Sequence, residues 1–250
     1  PLIGLFQDAF PTVHTIEHTQ ALLDAPADTY DAWVAVCSLP HRLGITVDHP
    51  QLSAPYLVSQ ETLAALWQTR MDAHFPRVFG TRRPRVGIVW RGQEVGKDSA
   101  QSTRTLQQRD LRYLLHLGKK HVDWVSLQHD GEPLGLDCVY EPGALTSDFR
   151  HAAALIQQLD WVVSVDTGLA HLAGALGQSC WVMLPPNPEW RYEAGRQHNP
   201  WYGEMRIFRQ HPGPGWRGLL DEVIAALASQ AALADDLAPC PTIKPLSAAA

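Results

Sequence analysis

From Arg85 onward, short apolar runs rich in β-branched residues alternate with segments whose apolar positions recur at helical spacing. Arg85–Trp90 (RVGIVW) predicts a strand, and Leu106–Leu117 predicts an amphipathic helix ended by Gly118. Trp124–Leu127 predicts a second strand and Cys138–Tyr140 a shorter third. Ser147 is placed to cap a helix running to Leu159, with Asp148 against the positive end of its dipole. Trp161–Val165 (WVVSV) is apolar on both faces, as a central strand must be. A small-residue helix over Leu169–Leu176, a buried strand over Cys180–Leu184, a strand at Met205–Phe208 and a helix over Trp216–Leu233 complete the series. Apolar strands separated by helices predict an α/β fold whose parallel sheet is covered on both sides.

That pattern assigns residues 81–238 to a Rossmann-like, doubly wound domain. The first 80 residues read differently. Trp33–Val36 predicts one strand, SLPHRLGI turns at Pro40, and Ser59 is placed to cap a helix carrying Leu63, Leu66 and Trp67. His74–Pro84, with two internal turn formers and three arginines, predicts a linker. With so few strands, residues 1–80 are expected to be an incomplete α/β half, and residues 239–250, without periodicity, a loose tail.

Composition narrows the function. Twenty Lys+Arg against 26 Asp+Glu give a formal charge of −6, and no basic run exists, which argues against nucleic acid as partner. No apolar stretch approaches the ~18 residues needed to span a bilayer, and Pro1–Phe10 has no basic segment ahead of an apolar one. Cys37, Cys138, Cys180 and Cys240 are widely spaced, so neither a zinc ribbon nor a disulfide framework is expected, and a cytoplasmic setting is.

The densest chemical signal is WVVSVDTGLAHLAGALGQSCWVM, Trp161–Met183. A buried strand ends at Val165, Asp166-Thr167-Gly168 turns, and a helix begins at once. Gly168 permits close approach of a ligand, the first helical turn offers N–H groups reinforced by the dipole, and His171 falls in that turn, where it could bond a phosphate oxygen. The plainer alternative is that Asp166 and Thr167 only cap the helix and His171 is a surface residue. Trp90-Arg91-Gly92, Gln128 and Glu189-Trp190-Arg191-Tyr192 all follow strands, so they share one sheet edge with this turn. There Arg91, Arg104 and Arg191 could neutralise a diphosphate and Gln128 could read a base or sugar, or each could be an ordinary surface group.

Other matches fail on their own terms. GQEVGKDS (Gly92–Ser99) has three residues between its glycines where a P-loop has four, and Asp98 where a hydroxyl should hold magnesium. GPGWRG (Gly213–Gly218) lies beside the last strand with no βα unit after it. His14 and His18 have helical spacing but no third metal ligand, and no nucleophile elbow is present. Asp123, Asp137 and Asp160 each precede a strand, where edge or cap duty is the default.

Taken in order, RVGIVWRG, WVSLQHD, DFRHAAALIQQLDWVVSVDTGLAHLAGALGQSCWVMLP, PEWRY and NPWYGEMRIFRQ resemble the glycosyltransferase-like domain that follows tetratricopeptide repeats in many bacterial proteins. That domain is related to ADP-heptose heptosyltransferases and more distantly to O-linked N-acetylglucosamine transferases. The resemblance covers roughly Asp31 to Leu227, VDTGLAHLAGALG being its most specific part. It implies a GT-B fold, in which two Rossmann-like halves face a cleft and the C-terminal one holds a nucleoside-diphosphate sugar.

By the same resemblance, Asp166, Thr167, Gly168 and His171 match the donor-diphosphate motif, while Trp90, Arg91, Gly92 and Gln128 match donor-side loops. Arg104 matches a basic position, displaced by a small insertion at Ser99–Thr103. Departures at Trp161 and Ser179 are mild. The family's Gly-rich strand–helix unit, which faces the acceptor and supplies an acidic base, is not found in this sequence, so no catalytic base is assigned. The implied activity is metal-independent transfer of a sugar to a protein or glycan acceptor, without a cofactor. A tetratricopeptide-repeat region is an implied partner. The alternatives are a non-catalytic nucleotide-binding module and, more weakly, a nucleotide-sugar epimerase.

Overall fold

A computed structural model describes residues 2–16, 31–46, 48, 55–76, 83–92, 104–128, 133–143, 148–211, 213 and 215–236. Six strands form one sheet: β1 (Arg85–Val89), β2 (Asp123–Ser126), β3 (Val139–Tyr140), β4 (Trp161–Val165), β5 (Cys180–Leu184) and β6 (Met205–Arg209). Every pair is parallel and the order is β3-β2-β1-β4-β5-β6. The chain therefore winds outward in both directions from a seam between β1 and β4, where Val86 pairs with Trp161 and Val89 with Ser164. The loops after β1 and β4 leave that seam in opposite directions, which opens a crevice at the carboxyl ends of the strands.

The helices among the described residues are α1 (Ile3–Ala9), α2 (Leu39–Arg42), α3 (Glu61–His74), α4 (Gln108–Gly118), α5 (Phe149–Ile156), α6 (Gly168–Ala175) and α7 (Arg217–Asp236). Helices α4 and α7 cover one face of the sheet, setting Leu111, Leu114, Leu219 and Val223 over Val86, Ile88 and Val163. Helices α5 and α6 cover the other with Ala152, Ala153, Leu172 and Ala173 against Val125, Val162 and Val182. All five residues of β1, β4 and β5 are buried, which is why these strands carry no polar alternation.

The amino-terminal helices join this second layer. Leu5 of α1 and Trp67 and Met71 of α3 are buried in the core that α5 and α6 form, and both helices pack on α5. Burial of Met71 alone is worth ~1.5–3 kcal/mol. Arg85 fastens α3 to the sheet: its guanidinium reaches Asp72 Oδ1 at 2.7 Å and the Phe75 carbonyl at 3.3 Å, and its backbone N–H donates to Asp160 Oδ2 at 2.7 Å. Asp160 thus has the strand-edge duty expected of it.

Three local expectations are corrected. Residues 32–35 form no strand; Trp33 is 86% exposed, and a 3-10 turn at Val36–Ser38 follows. A β-rich run becomes a strand only beside a ladder partner, and none stands next to it among the described residues. Ser59 does not cap α3, whose N-cap is Gln60 with no side-chain cap bond; the Ser59 hydroxyl bonds Gln157 instead. Helix α5 is capped by Asp148 itself, whose carboxylate accepts from the Arg150 N–H, and it ends at Ile156. Ser147, His18, Cys240, most of GQEVGKDS, Pro214 of GPGWRG and the 239–250 tail lie outside the described residues.

Candidate functional site

The crevice at the β1–β4 seam is built from four loops and the first turn of α6. Thr167 starts that helix: its Oγ1 accepts from the Ala170 N–H at 3.3 Å and lies 3.0 Å from Ser164 Oγ. The Ser164 hydroxyl already donates to the Val165 carbonyl at 2.6 Å, so the Thr167 hydroxyl is the donor to Ser164. Thr167 is therefore a cap, while the N–H groups ahead of the helical ladder still face outward from the positive end of α6.

Asp166 is the centre of the site. Its side chain is 5% exposed, with Arg104 Nη1 donating to Oδ2 at 2.9 Å and the Tyr192 hydroxyl donating to Oδ1 at 2.8 Å. Burial, with Asp166 beside it, pushes the Tyr192 phenol far above its ordinary range, so it keeps the proton that it donates. His171 Nε2 stands 3.7 Å from the same Oδ1, and its ring stacks on Tyr192 at 6.1 Å. Burial holds the His171 imidazole below its ordinary value, against the opposing pull of Asp166 and with a smaller push from Arg191. At neutral pH this histidine is uncharged and has one ring proton to offer a ligand.

The other candidate residues fall around this centre. Gly92 brings the loop after β1 so close that a Cβ there would lie 3.7 Å from the Asp166 carbonyl oxygen. The Gln128 amide holds that loop in place, accepting from the Arg91 N–H at 3.2 Å and donating to the Arg91 carbonyl at 3.1 Å. The Trp90 carbonyl accepts from the Leu106 N–H, which draws the start of α4 toward the seam. Arg104 also approaches Glu189 Oε1 at 3.8 Å, and Arg191 pairs with Glu189 Oε2. The two arginines and two carboxylates thus balance one another. At Gly168, the first residue of α6, a Cβ would meet only Phe149 Cζ, at 3.8 Å.

The sequence reading placed Asp166, Thr167, Gly168, His171, Arg104, Arg191, Gly92 and Gln128 on one edge, and the structure brings all of them there. Glu189 and Tyr192 were set on the same edge, in the run after β5, but without a role; the structure has Glu189 pairing with Arg104 and Arg191 and Tyr192 donating to Asp166. Ser164, which holds the turn through Thr167, carries no signal in the sequence beyond its place in a buried strand. Beside His171 opens a cavity of about 430 Å³, walled by residues 36, 37, 40, 55–56, 190–191 and 201–202. A larger groove of about 1040 Å³ between α4 and α7 contains none of the candidate residues. Among the described residues no three His, Cys, Asp or Glu side chains are grouped as metal ligands would be, and no helix is long and apolar enough to cross a membrane.

Fold and crevice together define a Rossmann-like α/β unit of the GT-B type, with its ligand edge at the topological switch point. Comparison with known proteins agrees. Residues 144–180, which hold β4, the Asp166–Gly168 turn and α6, match the family described as glycosyltransferase family 9 (heptosyltransferase). The fold is shared with the glycosyl transferase family 9 structure from Veillonella parvula DSM 2008, at a TM-score of 0.51 and 13% identity over 78% of this chain and 58% of that one. The E. coli ADP-heptose LPS heptosyltransferase II aligns with a TM-score of 0.47 and 17% identity over 73% of this chain and 56% of its own. The chain thus spans less than two thirds of either neighbour. No curated protein sequence matches it.

Proposed function

We propose that this chain carries the donor-holding half of a glycosyltransferase, which binds a nucleoside-diphosphate sugar at the amino terminus of α6 and supports transfer of the sugar to a protein or glycan acceptor without a metal ion. The observation that carries the reading is the Asp166-Thr167-Gly168 turn. It places a helix amino terminus at the β1–β4 crevice, inside the stretch that matches the family 9 description. A leaving diphosphate gains most from fixed donors aimed at its developing charge. Here those donors would be the N–H groups of the first turn of α6, the His171 ring N–H, and Arg104. Trp90, Arg91 and Gln128 would shape the nucleoside side. A tetratricopeptide-repeat partner belongs to the same reading, through the resemblance alone.

A second reading, a nucleotide-binding module without catalysis, has one observation in its favour. Arg104 and Arg191 are already matched by Asp166 and Glu189, so these two guanidiniums bring no surplus positive charge to a diphosphate. Calorimetric titration with UDP, ADP and GDP, each with and without magnesium, tests the first reading. Saturable binding of one nucleotide, indifferent to magnesium and weakened at least about tenfold in His171→Ala, is the expected result. Absence of binding by all three would refute the donor site. Binding without hydrolysis or transfer of the matching nucleotide sugars would favour the module.

A further inference from the structure

The cavity beside His171 is chemically unlike the phosphate edge it adjoins. Its walls are aromatic: Trp190 and Trp201 meet edge to face at 6.1 Å, and Tyr202 lies 5.8 Å from the His171 ring. Tyr202 takes its place because α6 has no side chain at Gly174, where a Cβ would fall 2.4 Å from the tyrosine ring. The opposite wall is the strap at Pro55–Tyr56, held to the far end of α6 by N–H groups of Tyr56 and Leu57 that both donate to the Ala175 carbonyl at 3.0 Å. Burial, with Tyr56 beside it, raises the Tyr202 phenol above its ordinary range, so it keeps its proton.

Among the lining residues are also polar groups: the hydroxyls of Tyr56 and Tyr202, the His171 imidazole and the Arg191 guanidinium. Arg191 is paired with Glu189, and the His171 imidazole is uncharged at neutral pH, so these groups bring no net charge. Apolar ring faces interspersed with neutral hydrogen-bonding groups match a ligand that has apolar C–H faces and hydroxyls around its edge. A phosphate would find neither surplus cation nor a helix amino terminus inside it.

We propose that this cavity is a carbohydrate subsite that takes a single pyranose ring against Trp190, Trp201 and Tyr202. The ring belongs to the donor or to a glycan acceptor, and this choice alone rests on the glycosyl-transfer reading. A volume of about 430 Å³ is at the lower end of small-ligand sites, and the shared wall at His171 places the ring next to the proposed diphosphate.

Saturation-transfer NMR with methyl α-glucopyranoside, methyl α-mannopyranoside and N-acetylglucosamine tests the cavity without any nucleotide. At least one of them is expected to bind saturably. Trp190→Ala, at a residue 62% exposed, should weaken that binding about fivefold with an unchanged unfolding temperature. Tyr202→Leu serves as a second variant with the same expected loss. Two further arms identify the source. A nucleotide sugar that loses affinity in Trp190→Ala while its nucleoside diphosphate does not assigns the ring to the donor. A glycoside that still binds beside saturating nucleotide sugar assigns it to the acceptor. Failure of all three sugars to bind, equal binding by both variants, or displacement of the sugar by uridine or adenosine overturns the proposal. Sugar binding without nucleotide binding would leave it standing while removing the donor reading.

Discussion

The Arg104–Asp166 pair offers the sharpest test of how the site is held together. At 2.9 Å and an effective dielectric constant near ~20, the Coulomb attraction is about 6 kcal/mol, most of which desolvation of the two ions cancels. Removing one partner of a buried pair costs ~3–5 kcal/mol, because the other charge stays buried without it. Asp166 is 5% exposed but Arg104 is 27% exposed, so water partly screens the interaction. We therefore expect Arg104→Met to cost about 2–3 kcal/mol. With a urea m-value of about 3 kcal/mol/M, that lowers the unfolding midpoint by roughly 0.8 M. Arg104→Met combined with Asp166→Asn leaves no unpaired buried charge and should recover most of the loss, the two changes coupling by at least about 1 kcal/mol. Equilibrium urea unfolding of the four proteins measures this directly. Strictly additive losses, or an Arg104→Met protein as stable as the parent, would show that Asp166 is held by Tyr192 and solvent alone.

Two further outcomes are expected. Gly168→Ala should leave stability unchanged or raise it by up to about 0.5 kcal/mol, since alanine favours helix and its Cβ meets only Phe149. Its nucleotide affinity should fall, and an affinity equal to the parent's would show that the ligand does not approach this backbone. His171, held below its ordinary value by burial, stabilises the fold above the unfolded-chain value of ~6.5, and that contribution is lost as pH falls through the folded value, because the unfolded chain takes up the proton first. The stability margin of the parent over His171→Asn should therefore shrink as pH is lowered from 7.5 through the unfolded-chain value of ~6.5; a constant or widening margin in urea titrations would refute the assignment.

Sheet and site were not equally legible in the sequence. Strands β1, β4 and β5 are buried on both faces, so their apolar runs needed no context to be recognised, and the turn after β4 followed from the abrupt change to Asp166-Thr167-Gly168. Trp33–Val36 has the same local character, yet it forms no strand, because pairing is a property of neighbours and not of the run itself. Caps failed for a related reason: Ser59, Gln60 and Asp148 are all competent or adjacent, and the choice among them depends on partners such as Gln157 that lie far along the chain. The pairing of Arg104 with Asp166 and of Arg191 with Glu189 was hidden as well. Sequence places cations and carboxylates on the same edge but does not say which charges neutralise each other.

The seam between β1 and β4 has a consequence for how the protein assembles. It joins the strands that lie furthest apart in sequence of any neighbours in the sheet, whereas β4, β5 and β6 follow one another with short connections. Closing that long loop carries the largest chain-entropy cost, so the two flanks are free to form earlier and the seam to close late. A molecule bound across the loops of β1 and β4 would grip both flanks at once. It would slow their separation, and protection of the β1 amides from hydrogen exchange would report its presence more sensitively than any change at the sheet edges.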